Sequence, residues 1–264
     1  MKMFENKKPA PWLFLIGTLL WTWGFLFLTI LTPQHYLQFP TVLLTLLGGL
    51  GPLIVSLCLI RKGYWDATLD KTSSQFLLRV FNPKTLKFRW YLHIFVLALF
   101  LSVFPAVIES IRTGDFKLLD VGVLTFMVIG VVIGGLEEIG WRAYALEGLQ
   151  RKVPVIFASL IVGAFWAIWH FPLFFIDGTY QSQLGVGTLA FWSFHAAILI
   201  GSPIYAWLYN QSGRIAFAVV FYHALGNLMG ELIADAHPVN LFVEAVVAFG
   251  LVVLFRQWMM RRRT

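Results

Sequence analysis

The sequence predicts an all-α membrane protein: a polytopic transmembrane helical bundle of about eight spans with both termini cytoplasmic. Three observations carry that prediction. The 264 residues are 59% hydrophobic and only 12% charged, with a mean hydropathy of +0.77, which is too apolar for a soluble domain. Apolar runs long enough to cross a bilayer core of about 30 Å recur along the whole chain. When those runs are threaded alternately through a membrane, all of the 20 Lys and Arg except Arg112 and Lys117 fall on one side. That is the positive-inside pattern. The formal charge of +7 therefore reads as a topology signal, and nucleic acid is not an expected partner.

Met1 to Lys8 is a short basic start. Ala10 to Leu31 is the first span, about 22 residues, too long for a signal-peptide core and without a small-residue cleavage site, so it is expected to be retained. Leu37 to Ile60 is the second, interrupted by Gly48-Gly49 and Gly51-Pro52, where a kink or a close helix contact is expected. Arg61 to Arg89 carries seven Lys or Arg against two Asp and is the strongest orientation signal. Trp90 to Ile108 is the third span; the mixed-charge loop Glu109 to Asp120 follows, and Val121 begins the fourth. Val153 to Ile176 is the fifth, Leu184 to Leu208 the sixth, Ile215 to Ala234 the seventh and Leu241 to Phe255 a short eighth. With no internal repeat, low-complexity tract or long linker, residues 1–264 read as a single membrane-embedded domain. The lone Cys58 rules out an internal disulfide and, without a nearby acid or histidine in sequence, is a poor thiol nucleophile.

The chain is organised around Gly134-Gly135-Leu136-Glu137-Glu138-Ile139-Gly140-Trp141-Arg142. Ionisable groups at the edge of or inside hydrocarbon cost roughly 2.5 kcal/mol or more each and are rarely placed there without a partner or a task. Glu138 and Arg142 stand four apart, the favourable order for an ion pair on one helix face. Glu137 projects elsewhere and has no local cation. A carboxylate beside an ion pair but not consumed by it is the expected form of a general base, although both acids could equally mark the watery end of a span. Trp166-Ala167-Ile168-Trp169-His170, followed by Phe171-Pro172, places an aromatic ring one turn before an intramembrane histidine. In the seventh span His223 and Asn227 project from one face, able to address one small object or simply to pair two helices. Glu231 continues that stripe.

Depth decides how the elements can meet. If the fourth helix ended at the membrane edge, Glu137 and His170 would lie at different levels. If it instead continues through Trp141 and Tyr144 to about Gln150, Arg151 to Pro154 becomes the turn of a helical hairpin, and the two residues come level. The sequence favours this second arrangement.

Glu-Glu-x-x-x-Arg, aromatic-x-x-x-His and His-x-x-x-Asn, each on its own helix between Glu137 and Asn227, resemble the CPBP (Abi) family of intramembrane proteases, which includes the type II CAAX prenyl endopeptidases. The motif-bearing core is about residues 121–235. Trp166 stands where the family usually has Phe, and Ala143 where Gly often follows the arginine. The resemblance implies an endopeptidase that hydrolyses a peptide bond of a membrane-associated polypeptide in an integral, cell-membrane setting. It implies that Glu137 and His170 activate a water, that His223 and Asn227 stabilise the oxyanion, and that Glu138, Arg142 and Trp166 support them. No cofactor is then required. The alternative is a divalent metal such as zinc on Glu137, His170 and His223. A different class of function, a non-proteolytic scaffold or bacteriocin self-immunity protein on the same fold, is the second reading. A transporter, the third, lacks the inverted repeat that such folds carry.

Overall fold

The computed structural model describes residues 8–66, 68–114, 134–232 and 237–263, and all of its regular structure there is helical. Helix α1 (Pro11–Leu31) opens with proline at its first turn, where the missing N–H costs nothing. The second apolar run is two helices, α2 (Thr41–Gly49) and α3 (Gly51–Arg61), bent by 58°. The glycines explain the bend. A side chain at Gly51 would fall 2.2 Å from Thr22 Oγ1, and one at Gly48 would fall 2.9 Å from Leu26. The break thus lets the α2–α3 corner sit directly on α1, with Thr22 Oγ1 donating to Gly48 O at 2.8 Å.

Between α3 and the next span lies a short amphipathic helix, α4 (Ser73–Val80), capped by Thr72, whose side chain accepts from Gln75 N. It buries Phe76, which packs on Trp65, and Val80, while its polar face stays out. Helix α5 (Phe88–Thr113) is the longest apolar helix and ends on Gly114 at φ 76°, a left-handed conformation that suits glycine. The expected loop from Glu109 to Asp120 begins inside this helix, and its part beyond Gly114 lies outside the described residues, as do the expected start of the fourth span at Val121, the basic start through Lys7, and Ala234 and Asp235.

From Ile139 to Leu146 the fourth helix is π-helical rather than the α-helix that spacing alone suggests, before one α-turn, α6 (Glu147–Gln150). Gly140 lies within this segment. A side chain there would meet Pro52 O at 2.3 Å, so the segment lies against the start of α3 with no room for one. π-helical turns recur at functional sites. The helix then stops at Gln150, with Lys152 N and Val153 N both donating to Leu149 O. The chain turns through Arg151–Pro154 into α7 (Val155–Trp169), the hairpin that the depth argument required.

Helix α7 ends sooner than the expected fifth span. His170 is its C-terminal cap, and Phe171–Phe175 is a 3-10 turn. Pro172 accounts for this, because proline cannot supply the N–H that an α-helix continuing past His170 would need. Then follow α8 (Tyr180–Leu184), α9 (Leu189–Gln211), α10 (Ala216–Leu232), α11 (His237–Leu254) and the one-turn α12 (Arg256–Met259). Among the described residues, α1, α5, α7 with its 3-10 extension, and α9 are long and apolar enough to cross a membrane, and the bent α2–α3 pair makes a fifth. Shorter apolar stretches of α10 and α11 occupy the positions of the expected seventh and eighth spans. The core is centred on the hairpin, where Trp141, Tyr144, Leu146 and Leu149 are buried among residues of α1, α3, α4, α7 and α9.

Candidate active site

Three helices deliver the polar groups. On the π-helical segment and the turn before it, Glu137, Glu138 and Arg142 are all buried, Glu138 and Arg142 completely. The pair predicted by their spacing is present, with Arg142 Nε donating to Glu138 Oε2 at 2.8 Å. The guanidinium is also fixed from outside its own helix. Its Nη1 donates to Ser202 Oγ at 2.9 Å, and Ser202 Oγ in turn donates to Ser159 O at 2.7 Å. Its plane lies between Trp166 and Tyr205, 5.0 and 4.7 Å from their ring centres. Arg142 is thereby bound by an acid, a hydroxyl and two π faces in a region that excludes water.

Glu138 has a second partner that the sequence did not indicate. Its Oε1 lies 3.0 Å from His223 Nδ1. A carboxylate can only accept, so His223 donates through Nδ1 and its Nε2 is turned to the other side. That side is where Gly134 passes. A β-carbon at Gly134 would fall 3.0 Å from His223 Nε2 and 2.6 Å from Asn227 Nδ2, so both nitrogens converge on this glycine. The pair expected from i,i+4 spacing in the seventh span is thus aimed at the backbone just before Glu137. The Glu231 side chain lies outside the described residues.

Glu137 is held by neutral donors. Its Oε2 accepts from Trp166 Nε1 at 3.0 Å and, more weakly, from Trp141 Nε1 at 3.4 Å. Trp166 also connects this acid to the histidines. Its carbonyl accepts from His170 Nδ1 at 2.8 Å, and its ring lies 5.8 Å from that of His170 and 5.5 Å from that of His223. Because a carbonyl cannot donate, His170 Nδ1 carries the hydrogen, and the neutral ring keeps Nε2 as its acceptor. Trp169 and Phe194 pack on the His170 ring and fix its orientation. The structure thus gathers Glu137, Glu138, Arg142, Trp166, His170, His223 and Asn227 around one indole and one glycine.

Three participants and one neighbouring buried acid were not singled out from sequence. Gly134 was quoted only as part of a motif, and its role as the point of closest approach needs the third dimension. Ser202 and Tyr205 come from α9, which carries none of the recognised motifs. Glu244 on α11 places its Oε1 where a side chain on Gly201 would otherwise go. A lone acid in an apolar run was the available signal for it. Among the described residues, no three His, Cys, Asp or Glu side chains come together so as to hold a metal ion. Cys58 is free and exposed.

The fold and this buried cluster define a helical integral membrane protein with a polar site enclosed by its apolar helices. Residues 119–229 match the family described as type II CAAX prenyl endopeptidase Rce1-like. The chain is 26% identical to CAAX prenyl protease 2 of Methanococcus maripaludis over 93% of each protein. It is also 26% identical to lysostaphin resistance protein A of Staphylococcus haemolyticus, over 50% of this chain and 34% of that protein. The CPBP-family resemblance carried by the three motifs is borne out by both kinds of match. The comparisons support an intramembrane endopeptidase.

Proposed function

We propose that the protein hydrolyses a peptide bond of a membrane-associated polypeptide by attack of a water that Glu137 activates, with no covalent enzyme intermediate and no required metal. The observation that carries this reading is the pair of neutral indole donors on Glu137, beside an Arg142 already engaged by Glu138. A carboxylate held this way keeps its place and can still accept a proton, which is what a general base must do. His170, anchored through Nδ1 on the Trp166 carbonyl, offers Nε2 as the second group on the water. Asn227 Nδ2, and His223 Nε2 when that ring is protonated, are the donors for the oxyanion, converging beside Gly134. Glu138 and Arg142 hold His223 and the helix rather than touch substrate.

The name of the Methanococcus relative directs the substrate towards prenylated proteins with a C-terminal CAAX sequence, and such a peptide is the first probe. Eight spans with both termini cytoplasmic, in the cell membrane, complete the proposal. The second reading, a resistance or immunity protein that acts by binding, has the name of the Staphylococcus relative in its favour. The test is cleavage of a farnesylated CAAX peptide by the chain reconstituted in liposomes in H₂¹⁸O, with and without chelator. Label entering the new carboxyl terminus, chelator-insensitive and absent in Glu137→Gln, is the expected result. Activity lost to chelator and restored only by divalent ion would move Glu137, His170 and His223 to metal ligands. A folded protein that binds the peptide and never cleaves it would favour the binding reading.

A further inference from the structure

At the far end of the hairpin from the site, the C-terminal tail folds back onto the Gln150–Val155 turn. Arg263 N donates to Gln150 O at 2.7 Å, and Val155 N donates to Arg261 O at 3.1 Å, so two backbone bonds tie tail to turn. This docking collects positive charge. The acids at this end are already engaged: Glu147 by Arg214 at 3.1 Å and Arg151 at 3.5 Å, and Asp66 by Arg151 at 2.9 Å. Arg263 is left over. Its guanidinium stacks on Trp258 at 4.3 Å, and its Nε and Nη2 are shielded from water with no acceptor among the described residues. Burial, with Arg214 and Arg261 nearby, pulls its pKa below the ordinary arginine value, as expected of a cation crowded by like charges and lacking an anion.

Beside Trp258 opens a cleft of about 730 Å³ at the α11–α12 elbow, lined by Leu254, Phe255, Arg256, Trp258 and Met260. Leu254 and Met260 are strongly exposed there, next to the arginines. Apolar surface, an indole and Arg256 on the cleft wall, with the tail arginines a few residues further on, match an amphiphile whose polar end is an anion. A soluble anion would leave the apolar half of the cleft unused.

We propose that the junction of the α11–α12 elbow, the Arg261–Arg263 tail and the Gln150–Val155 turn binds the phosphate of an anionic lipid headgroup, with the glycerol and first acyl carbons of that lipid in the cleft. Arg261, whose side chain is exposed, supplies the fork-shaped donors that a phosphate accepts, and Arg263 adds positive charge behind it.

The test is native mass spectrometry of the full chain in detergent, titrated in parallel with phosphatidylglycerol, phosphatidylcholine and inorganic phosphate. The expected result is retention of phosphatidylglycerol about tenfold tighter than phosphatidylcholine, reflecting the attraction of the two arginine charges of the tail for an anionic headgroup. Arg261→Gln together with Arg263→Gln should abolish the preference. Arg112→Gln, on another helix, should leave it intact. Because loss of Arg263 could disturb the docked tail, Arg261→Gln alone is also measured; its exposed side chain makes removal safe for folding, and it should lower the preference several-fold. Equal retention of the two lipids, or a preference that survives the double variant, would overturn the site. Inorganic phosphate binding as tightly as the lipid, and displacing it, would overturn the lipid as occupant.

Discussion

Among the described residues two buried centres bring glutamates to arginines, and they differ in what is left uncommitted. At the tail end of the hairpin, Glu147 is surrounded by Arg214, Arg151, Gln150 Nε2 at 3.0 Å and Tyr209 OH at 3.4 Å. Every contact there holds the acid in place. Nine residues earlier on the same chain segment, Glu138 is equally committed to Arg142 and His223, but Glu137 next to it accepts, among the described residues, from indole N–H groups. A carboxylate locked between cations is structural, because taking a proton would break ion pairs in a region of low dielectric. One held by neutral donors can take a proton and return it while its scaffold stays in place. The presence of an intramembrane acid therefore says little about function until its partners are known.

The sharpest way to break this comparison is to remove the charge in each centre. Glu137→Gln should lower peptide cleavage by about 10² to 10⁴-fold, the range for loss of a general base, with thermal stability close to the parent. Glu147→Gln should do the reverse, leaving Arg214 and Arg151 short of a partner at a buried site and destabilising the fold by roughly 3 kcal/mol or more, with cleavage per folded molecule within a few-fold of the parent. Rates normalised to folded protein, set beside melting in detergent, separate the two. Equal loss of cleavage in both variants would remove the distinction.

Within the active centre, Glu138→Gln should weaken the contacts to Arg142 and His223 together. Removing one partner of a buried charge pair typically costs about 3–5 kcal/mol, and a neutral glutamine that still bonds both groups should lose less. Its signature is a fall in stability together with a fall in cleavage, intermediate between the two variants above. Retained stability with complete loss of cleavage would instead give Glu138, not Glu137, the proton-transfer role.

How much of this was legible beforehand follows the range of the signal. The Glu138–Arg142 pair, the bend at Gly48–Pro52 and the turn at Arg151–Pro154 were readable because each rests on residues a few positions apart or on simple depth matching. The Glu138–His223 bond joins residues 85 positions apart and the Arg142–Ser202 bond residues 60 apart, and no local pattern encodes either. The π-helical form of Ile139–Leu146 was missed for a related reason. The segment carries Gly140 against Pro52 O, a contact between distant segments, while the i,i+4 pairings look the same in either helix. His170 lies inside the fifth span as expected, and what differs is that Pro172 two residues later ends the α-helical part, a local signal masked by the hydropathy of Phe171-Pro172-Leu173-Phe174-Phe175.

Gly134 gives a finer test of convergence. An alanine there would put its methyl 2.6 Å from Asn227 Nδ2 and 3.0 Å from His223 Nε2, closer than side chains tolerate. The two nitrogens must then retreat, at a strain cost of about 1–3 kcal/mol. Gly134→Ala should reduce the turnover rate more than substrate affinity, since the displaced groups are those assigned to the oxyanion. Gly226→Ala, on the same helix as His223 but with open space around it, is the control and should be silent. An unaffected Gly134→Ala would mean that His223 and Asn227 do not act at that point.

The smallest expected effect lies at the rim of the tail-end centre, where Asp66 faces Arg151. Hydrogen bonds from Thr68, then that from Arg151 at 2.9 Å, hold the Asp66 carboxyl below its usual value of 3.8. For an acid whose folded pKa is depressed, the stabilisation is fully present above the unfolded pKa and is lost as pH falls through the lower, folded one. The loss is therefore confined to pH below about 4. The side chain is a quarter exposed, so solvent screening limits the pair to about 0–1 kcal/mol. Melting of the parent and of Asp66→Asn, followed from pH 6 down to pH 3, should show a small gap that closes at the acid end. Glu147→Gln should show its larger deficit already at neutral pH, because its buried pairs are broken there. A gap for Asp66→Asn as wide as that for Glu147→Gln would mean that the rim of this centre, and not only its interior, holds the hairpin in place.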